Sequence, residues 1–223
     1  EYILILIFLT VLSAIAIGDF NIRLATEDYR LSGVSHSFIF LYNDIYNETV
    51  LSNFSKINFQ ILTIISVLIS ELFNIQIKFI VYFLTIFGNV LFYLIFYIFS
   101  KLILKSSEKS FFTLITFIAF GITYNNLSIM GTDGAIQVFP DTNIYAWSLI
   151  LLSTFFLIKK NFNFALITLA LLPFIHIGHF FLFSLSVVSF FIFNFIMKKN
   201  YISFYYLFIY SLFCIFIVLL FKD

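Results

Sequence analysis

The chain has 223 residues, of which 62% are hydrophobic and only 10% are charged, and its formal net charge is +1. Soluble domains are close to half apolar and a quarter charged, so this composition excludes a soluble globule, a disordered tail and a nucleic-acid binder. We therefore predict an all-α membrane protein that is surrounded by membrane lipids.

Apolar runs recur along the chain at lengths suited to transmembrane helices, which need about 20 residues to cross a bilayer. The runs are 2–17, 75–100, 111–124, 144–158, 164–197 and 201–221. A membrane barrel would instead show alternating apolar and polar residues in segments of about ten, so we predict helices. The first run also resembles a signal peptide with a cleavage site near Ala16, but the apolar residues that follow favour an uncleaved first helix.

The run 57–73 differs from the others because polar residues interrupt it, among them Gln60, Ser66, Ser70 and Glu71. This pattern favours a helix in the membrane interface over a crossing one, which places loop 18–56 outside. A crossing helix would place that loop inside. We thus predict a polytopic transmembrane helical bundle of about seven spans, with one interfacial helix and a long first extracytoplasmic loop. It forms one membrane domain, 1–223, with the bundle over 75–223, and we interpret it as a piece of a longer chain.

The run 164–197 is too long for one crossing, since a single helix of that length would extend about 51 Å. Pro173 and Gly178 lie near its middle, and they favour a break in the helix and a turn. We predict two helices, about 164–174 and 180–197, that meet at a polar corner around His176 and His179.

Lysines in the short connections indicate the orientation, because Lys and Arg are enriched in cytoplasmic loops. They are Lys101, Lys105, Lys109, Lys159, Lys160, Lys198 and Lys199. With 164–197 as a hairpin, all seven fall on one side, which we assign to the cytoplasm. The segment 125–143 contains no Lys or Arg and falls outside, together with the two histidines.

Acidic residues of the first loop are the candidates for catalysis. Asp19 directly follows the first helix, at the membrane boundary, where a carboxylate's electrostatic effect grows; it suits a general base or a metal ligand. Glu27 and Asp28 are adjacent, so they repel one another or share a cation. The structural alternatives are a helix-ending turn for Asp19 and the first turn of a surface helix for Glu27 and Asp28.

Four further residues are candidates for binding. Asp133 lies in a polar, glycine-flanked turn suited to hydroxyl-rich ligands, and Asp141 precedes a span, where a helix N-cap is the alternative explanation. His176 and His179 are three residues apart, so both can face one way on a helix. With an outer carboxylate they would suit a divalent metal, the cofactor to which these residues point. The alternative is a hydrogen-bonded corner next to Pro173.

This layout resembles the polyprenyl-linked glycosyltransferases of the GT-C type. The matching features are Asp19 after the first helix, Glu27 and Asp28 in a long outer loop, and the interfacial run 57–73. Asp141 and the His176–His179 segment are similar to outer-face elements of some members. The resemblance implies sugar transfer from a polyprenyl-phosphate-linked donor on the outer face of the bacterial cytoplasmic membrane, with Asp19 or Asp28 as the base or the metal-holding carboxylate.

Other functions stay open at this stage. A transporter, a channel or a non-catalytic membrane subunit would use polar residues within spans to line a path. The predicted spans are nearly free of charge, apart from Glu71 and Lys78 near helix ends. A polysaccharide polymerase would share the outer acidic loop, and an assembly factor would carry out no chemistry.

Overall fold

The structure is a computed structural model that describes residues 1–17, 69, 72–75, 77–123, 142–198 and 201–220. Seven helices are assigned within these ranges, and no strand occurs there. They are α1 (Tyr2–Ile17), α2 (Ile77–Leu104), α3 (Ser107–Thr123), α4 (Thr142–Ile158), α5 (Phe162–Ile175), α6 (Ile177–Lys198) and α7 (Tyr201–Leu220). The all-helical prediction is confirmed for this part of the chain.

Within the described ranges, three stretches of helix are long and apolar enough to cross a membrane: Phe83–Leu104 in α2, Ile177–Met197 in α6 and Tyr201–Leu219 in α7. Shorter apolar helices occur at Tyr2–Ala14, Asn143–Ile158 and Phe162–Ile175. These helices are compatible with an integral membrane protein. The predicted interfacial run 57–73 lies almost entirely outside the described residues.

The predicted division of 164–197 into two helices is confirmed. α5 ends at Ile175 and α6 begins at Ile177, and between them His176 has an extended backbone, with φ −154° and ψ 99°. The second helix starts three residues earlier than predicted. Gly178 therefore belongs to the first turn of α6 and does not form a turn between the helices.

One core cluster joins the first four helices. Its buried members are Ile5, Leu9, Phe92, Tyr93, Tyr97, Leu114, Ile118, Ile144 and Tyr145. At one end of this cluster, Lys101 of α2 donates to the carboxylate of Glu1 at 3.2 Å, so α1 begins where α2 ends. α1 and α2 are therefore antiparallel, and the turn at Lys105 returns the chain into α3.

α2 and α4 run parallel and approach closely. The Tyr145 hydroxyl of α4 donates to the Leu84 carbonyl oxygen of α2 at 2.5 Å. A Cβ added to Gly88 would lie 3.0 Å from the Tyr145 ring, so the absence of a side chain permits this contact. Small residues allow the same close approach between helices in membranes generally.

A second core cluster joins α4 to the last three helices. Its buried members are Ala146, Ile150, Leu157, Ala165, Leu169, Leu172, Phe180, Val187, Phe191, Tyr210 and Ile217. Phe162 at the start of α5 contacts both Phe191 of α6 and Tyr206 of α7, with ring centroids 5.6 and 5.1 Å apart. These contacts make α4–α5, α5–α6 and α6–α7 antiparallel neighbours.

The helix directions define two ends of the bundle. The lysine end carries Lys101, Lys105, Lys109, Lys159 and Lys160, and α6 ends there. The opposite end, here called the histidine end, carries His176 and His179; α1 and α3 run towards it, and α2 and α4 begin there. This arrangement of helices agrees with the lysine pattern of the sequence.

Candidate functional site

The candidate site is the corner between α5 and α6 at the histidine end. Pro173 lies inside α5 and is buried, and because it has no N–H it cannot donate to Leu169 one turn earlier. The helix continues for only two more residues. The backbone N–H of His176 then donates to the Leu172 carbonyl at 2.8 Å, and its carbonyl accepts from the N–H of Phe180 at 3.1 Å.

The His176 side chain caps the first turn of α6. Its Nδ1 accepts a hydrogen bond from the backbone N–H of His179 at 3.2 Å. The first N–H groups of a helix have no partner within the helix, so this bond satisfies one of them. An imidazole that accepts through Nδ1 is neutral and carries its proton on Nε2. Burial favours this neutral form, because it lowers the pKa of His176 below its usual value.

Gly178 leaves room for the capping ring. A Cβ at this position would lie 3.3 Å from Cε1 and 3.5 Å from Nδ1 of His176. The imidazole can therefore fold over the helix terminus without a steric conflict. This packing explains why α6 begins before Gly178 and not after it.

His179 packs between two other rings. Its ring centroid lies 4.1 Å from that of His176 and 5.5 Å from that of Trp147, edge to face in both cases. Its Nδ1 is buried and has no hydrogen-bond partner among the described residues. The two predicted histidines are thus brought together, next to the start of α4.

A divalent metal needs more ligands than this corner provides. Catalytic zinc sites use three protein ligands, and no group of three or more His, Cys, Asp or Glu side chains suited to a metal occurs among the described residues. Since Nδ1 of His176 accepts from the backbone and Nε2 carries the proton, neither nitrogen of this ring has a lone pair left for a metal in this arrangement. The described corner alone does not fit a metal, and a complete site would require a ligand from outside it.

The predicted carboxylates Asp19, Glu27, Asp28, Asp133 and Asp141 all lie outside the described residues. The helices that flank them are described. Asp19 follows the end of α1 by two positions, and Asp141 directly precedes α4. Each of these helix ends belongs to the histidine end of the bundle.

A buried polar cluster between α6 and α7 was not predicted. The Ser184 hydroxyl donates to the Phe180 carbonyl at 2.6 Å and lies 2.7 Å from the Tyr210 hydroxyl. Cys214 of α7 is half-buried, with its Sγ 4.0 Å from Ser184 Oγ. Single polar residues in apolar helices carry no signal of their partner, so the sequence did not indicate this contact.

In comparisons with protein-family models, curated proteins and solved structures, nothing matches the chain. The candidate site is therefore defined by the geometry of the corner and by the helix ends around it.

Proposed function

We propose that the chain is an integral membrane enzyme that transfers a sugar from a lipid-phosphate donor at the membrane surface formed by the histidine end. The observation that supports this proposal is the common location of the helix ends. The acidic segments that follow α1 and α3 are both flanked by helices that end or begin at the histidine end. We infer from these helix ends that the five candidate carboxylates share one side of the bundle with the histidine corner.

In this proposal all seven described helices cross the membrane. α5 is the shortest, with 14 residues, which correspond to about 21 Å of helix. The hydrocarbon core is about 30 Å thick, so a crossing by α5 needs local thinning of the bilayer. The long neighbouring helix α6 anchors α5 through its core contacts at both ends.

The chemistry follows from the residue types. The acceptor hydroxyl loses its proton and attacks the anomeric carbon of the sugar, while the lipid phosphate leaves with the electron pair of the broken bond. Asp19, Glu27 or Asp28 would accept the proton as a general base, and Asp133 and Asp141 would bind sugar hydroxyls. A divalent metal, where one is bound, would stabilise the negative charge on the leaving phosphate. The donor would be a polyprenyl-phosphate-linked sugar, and the location the bacterial cytoplasmic membrane.

The buried polar residues favour this function over an ion transporter. Those that the structure describes are all neutral: Ser13, Thr85, Asn89, Ser100, Ser110, Ser148, Ser153, Thr168, Ser184, Asn194 and Ser203. Ion and proton pathways usually contain ionisable residues within the spans. A polysaccharide polymerase would share the outer acidic surface and differs from the proposal only in its substrates.

Substitution of the acidic residues tests the proposal. Asp19→Ala and Asp28→Ala should each reduce transfer from radiolabelled polyprenyl-phosphate sugars in isolated membranes by at least about 100-fold, as expected for loss of a general base. The matched control is Glu108→Ala, because Glu108 is an exposed carboxylate in the first turn of α3, at the lysine end. Near-normal transfer by both aspartate variants, at normal protein levels, would contradict the assignment.

A further inference from the structure

Two lysines at the lysine end have a backbone conformation that lysine rarely adopts. Lys105 and Lys160 have φ angles of 53° and 59°, in the left-handed region. This region is disfavoured for residues with a Cβ, and helices that end in it usually place glycine or asparagine there. The other described non-glycine residue with positive φ is Asn74, a residue type that tolerates the conformation.

Both lysines occupy the position just after the end of a helix. The N–H of Lys105 donates to the Lys101 carbonyl at 3.0 Å, the single bond of the left-handed C-cap. At the end of α4, Lys160 donates to Leu157 at 3.0 Å and Asn161 to Phe156 at 2.9 Å. This second pair of bonds is the Schellman motif. Each helix end thus requires a residue in the left-handed backbone conformation, and at both positions that residue is a lysine.

The two positions lie at about the same height in the bundle. α2 and α4 are parallel and contact one another at Gly88 and Tyr145. Lys105 follows Gly88 by 17 residues and Lys160 follows Tyr145 by 15, which correspond to about 26 and about 23 Å along the helices. The two cations therefore lie at about the same height, at the ends of neighbouring helices.

None of these charges is neutralised by an ion pair within the described part of the protein, although Lys159 Nζ lies 6.0 Å from the centroid of the Phe155 ring. Lys105 and Lys160 are exposed, as are Lys109 and Lys159 nearby. The ion pair found there joins Lys101 to Glu1, and none involves these four lysines. The C-terminal end of each helix carries a partial negative charge, which attracts a cation. An exposed ammonium group next to it can still bind an anion from outside the protein.

We propose that Lys105 and Lys160, with Lys109 and Lys159 beside them, form a binding surface for the phosphate groups of anionic phospholipids in the membrane leaflet at the lysine end. Clusters of Lys and Arg next to a membrane helix attract anionic headgroups. Lys105 directly follows the candidate membrane span Phe83–Leu104, so a bilayer crossed by that span would bring headgroups to this position and to Lys160 at the same height. This use of the charge explains why lysine occupies two positions where glycine would be less strained. The surface is independent of the sugar transfer proposed above.

The test uses variants that separate charge from backbone conformation. The double variant Lys105→Gly, Lys160→Gly removes both charges and suits the left-handed backbone, so it should fold at least as well as the native protein. The control, Lys105→Arg with Lys160→Arg, keeps the charge and the strain. Each protein is reconstituted in nanodiscs of equal parts phosphatidylglycerol and phosphatidylcholine, and the lipids retained after extraction into detergent are identified by native mass spectrometry.

We expect the native and arginine proteins to retain phosphatidylglycerol in preference to phosphatidylcholine. In the glycine variant, the ratio of retained phosphatidylglycerol to phosphatidylcholine should fall about fivefold for each lysine removed. A cooperative thermal unfolding transition of this variant should show that it is folded. Inorganic phosphate at 50 mM, which has an ionic strength of roughly 0.1 M near neutral pH and a Debye length of about 10 Å, should not displace the lipid. The proposal would be overturned by an unchanged preference in the glycine variant, by an equal loss in the arginine variant, or by displacement by free phosphate.

Discussion

Gly88 is the residue whose missing side chain determines how α2 and α4 pack. An added Cβ would lie 3.0 Å from Cε2 and Cζ of Tyr145 and 3.2 Å from Cγ2 of Ile144. The Tyr145 ring cannot retreat easily, because it is buried and its hydroxyl is bound to the Leu84 carbonyl. Overpacking of this kind costs about 1–3 kcal/mol, and the better helix propensity of alanine offsets about 1 kcal/mol.

We therefore expect Gly88→Ala to lower the free energy of unfolding by up to about 2 kcal/mol, measured by denaturant titration in detergent micelles. Gly178→Ala is the control, since its Cβ would meet only the edge of the His176 ring, at 3.3 Å. Its effect should be smaller. Equal effects of the two substitutions would show that the contact with Tyr145 does not restrict the packing.

His176 makes stability depend on pH. Burial lowers its pKa in the folded protein, so the unfolded chain takes up a proton first as the pH falls through about 6.5, the usual value for histidine. The contribution of His176 to the free energy of unfolding is therefore present above that pH and is lost as the pH falls below it. A proton on Nδ1 also removes the acceptor for the His179 N–H and places a positive charge at the positive end of α6.

Thermal unfolding between pH 7.5 and 5.0 tests this prediction. The native protein should lose stability as the pH falls, and His176→Asn should lose less, because asparagine caps a helix without titrating. His176→Ala should be less stable by about 1 kcal/mol even at pH 7.5, owing to loss of the cap. Parallel pH profiles for the native and asparagine proteins would exclude His176 as the source of the dependence.

At the scale of elements, the pairing of α6 and α7 depends on one buried polar contact. The Ser184 hydroxyl has one proton, which it donates to the Phe180 carbonyl. The Tyr210 hydroxyl, 2.7 Å away, must therefore be the donor to Ser184. Interhelical hydrogen bonds in membranes contribute about 0.6 kcal/mol on average and up to about 1.7 kcal/mol.

Tyr210→Phe should accordingly lower the free energy of unfolding by about 0.6–1.7 kcal/mol. The matched control is Tyr206→Phe. The hydroxyl of Tyr206 donates to Asn163 Oδ1 at 2.7 Å in an exposed position. Water can replace that bond, so the control should have little effect. A double-mutant cycle with Ser184→Ala measures the coupling directly, and coupling near zero would contradict the assigned hydrogen bond.

The elements also show what the sequence could and could not predict. The hairpin α5–α6 was predictable, because Pro173 disrupts the helix locally and an unbroken helix would exceed the membrane thickness. The start of α6 was missed by three residues, since it depends on the His176 ring folding over Gly178. The contacts of Gly88 with Tyr145 and of Ser184 with Tyr210 join distant residues, and apolar helices carry no local signal for such partners.

At the scale of the whole molecule, the polar residues are divided between two ends. The described lysines of the helix connections lie at one end, and the helices flanking both acidic segments end or begin at the other. A bias of Lys towards one side sets the orientation of a membrane protein, so the lysine end is expected in the cytoplasm and the histidine end outside. This orientation underlies both the proposed donor and the proposed lipid surface.

Single cysteines can test the orientation in a Cys214→Ala background, since Cys214 is the one cysteine of the chain. Asp133→Cys and Glu108→Cys form a matched pair, because each replaces an acidic residue. Position 133 lies in the segment before α4, and position 108 lies at the lysine end. A membrane-impermeant maleimide added to intact cells should label position 133, and it should label position 108 only after permeabilisation. The reverse pattern would place the lysine end outside and remove the basis for an outer site of sugar transfer.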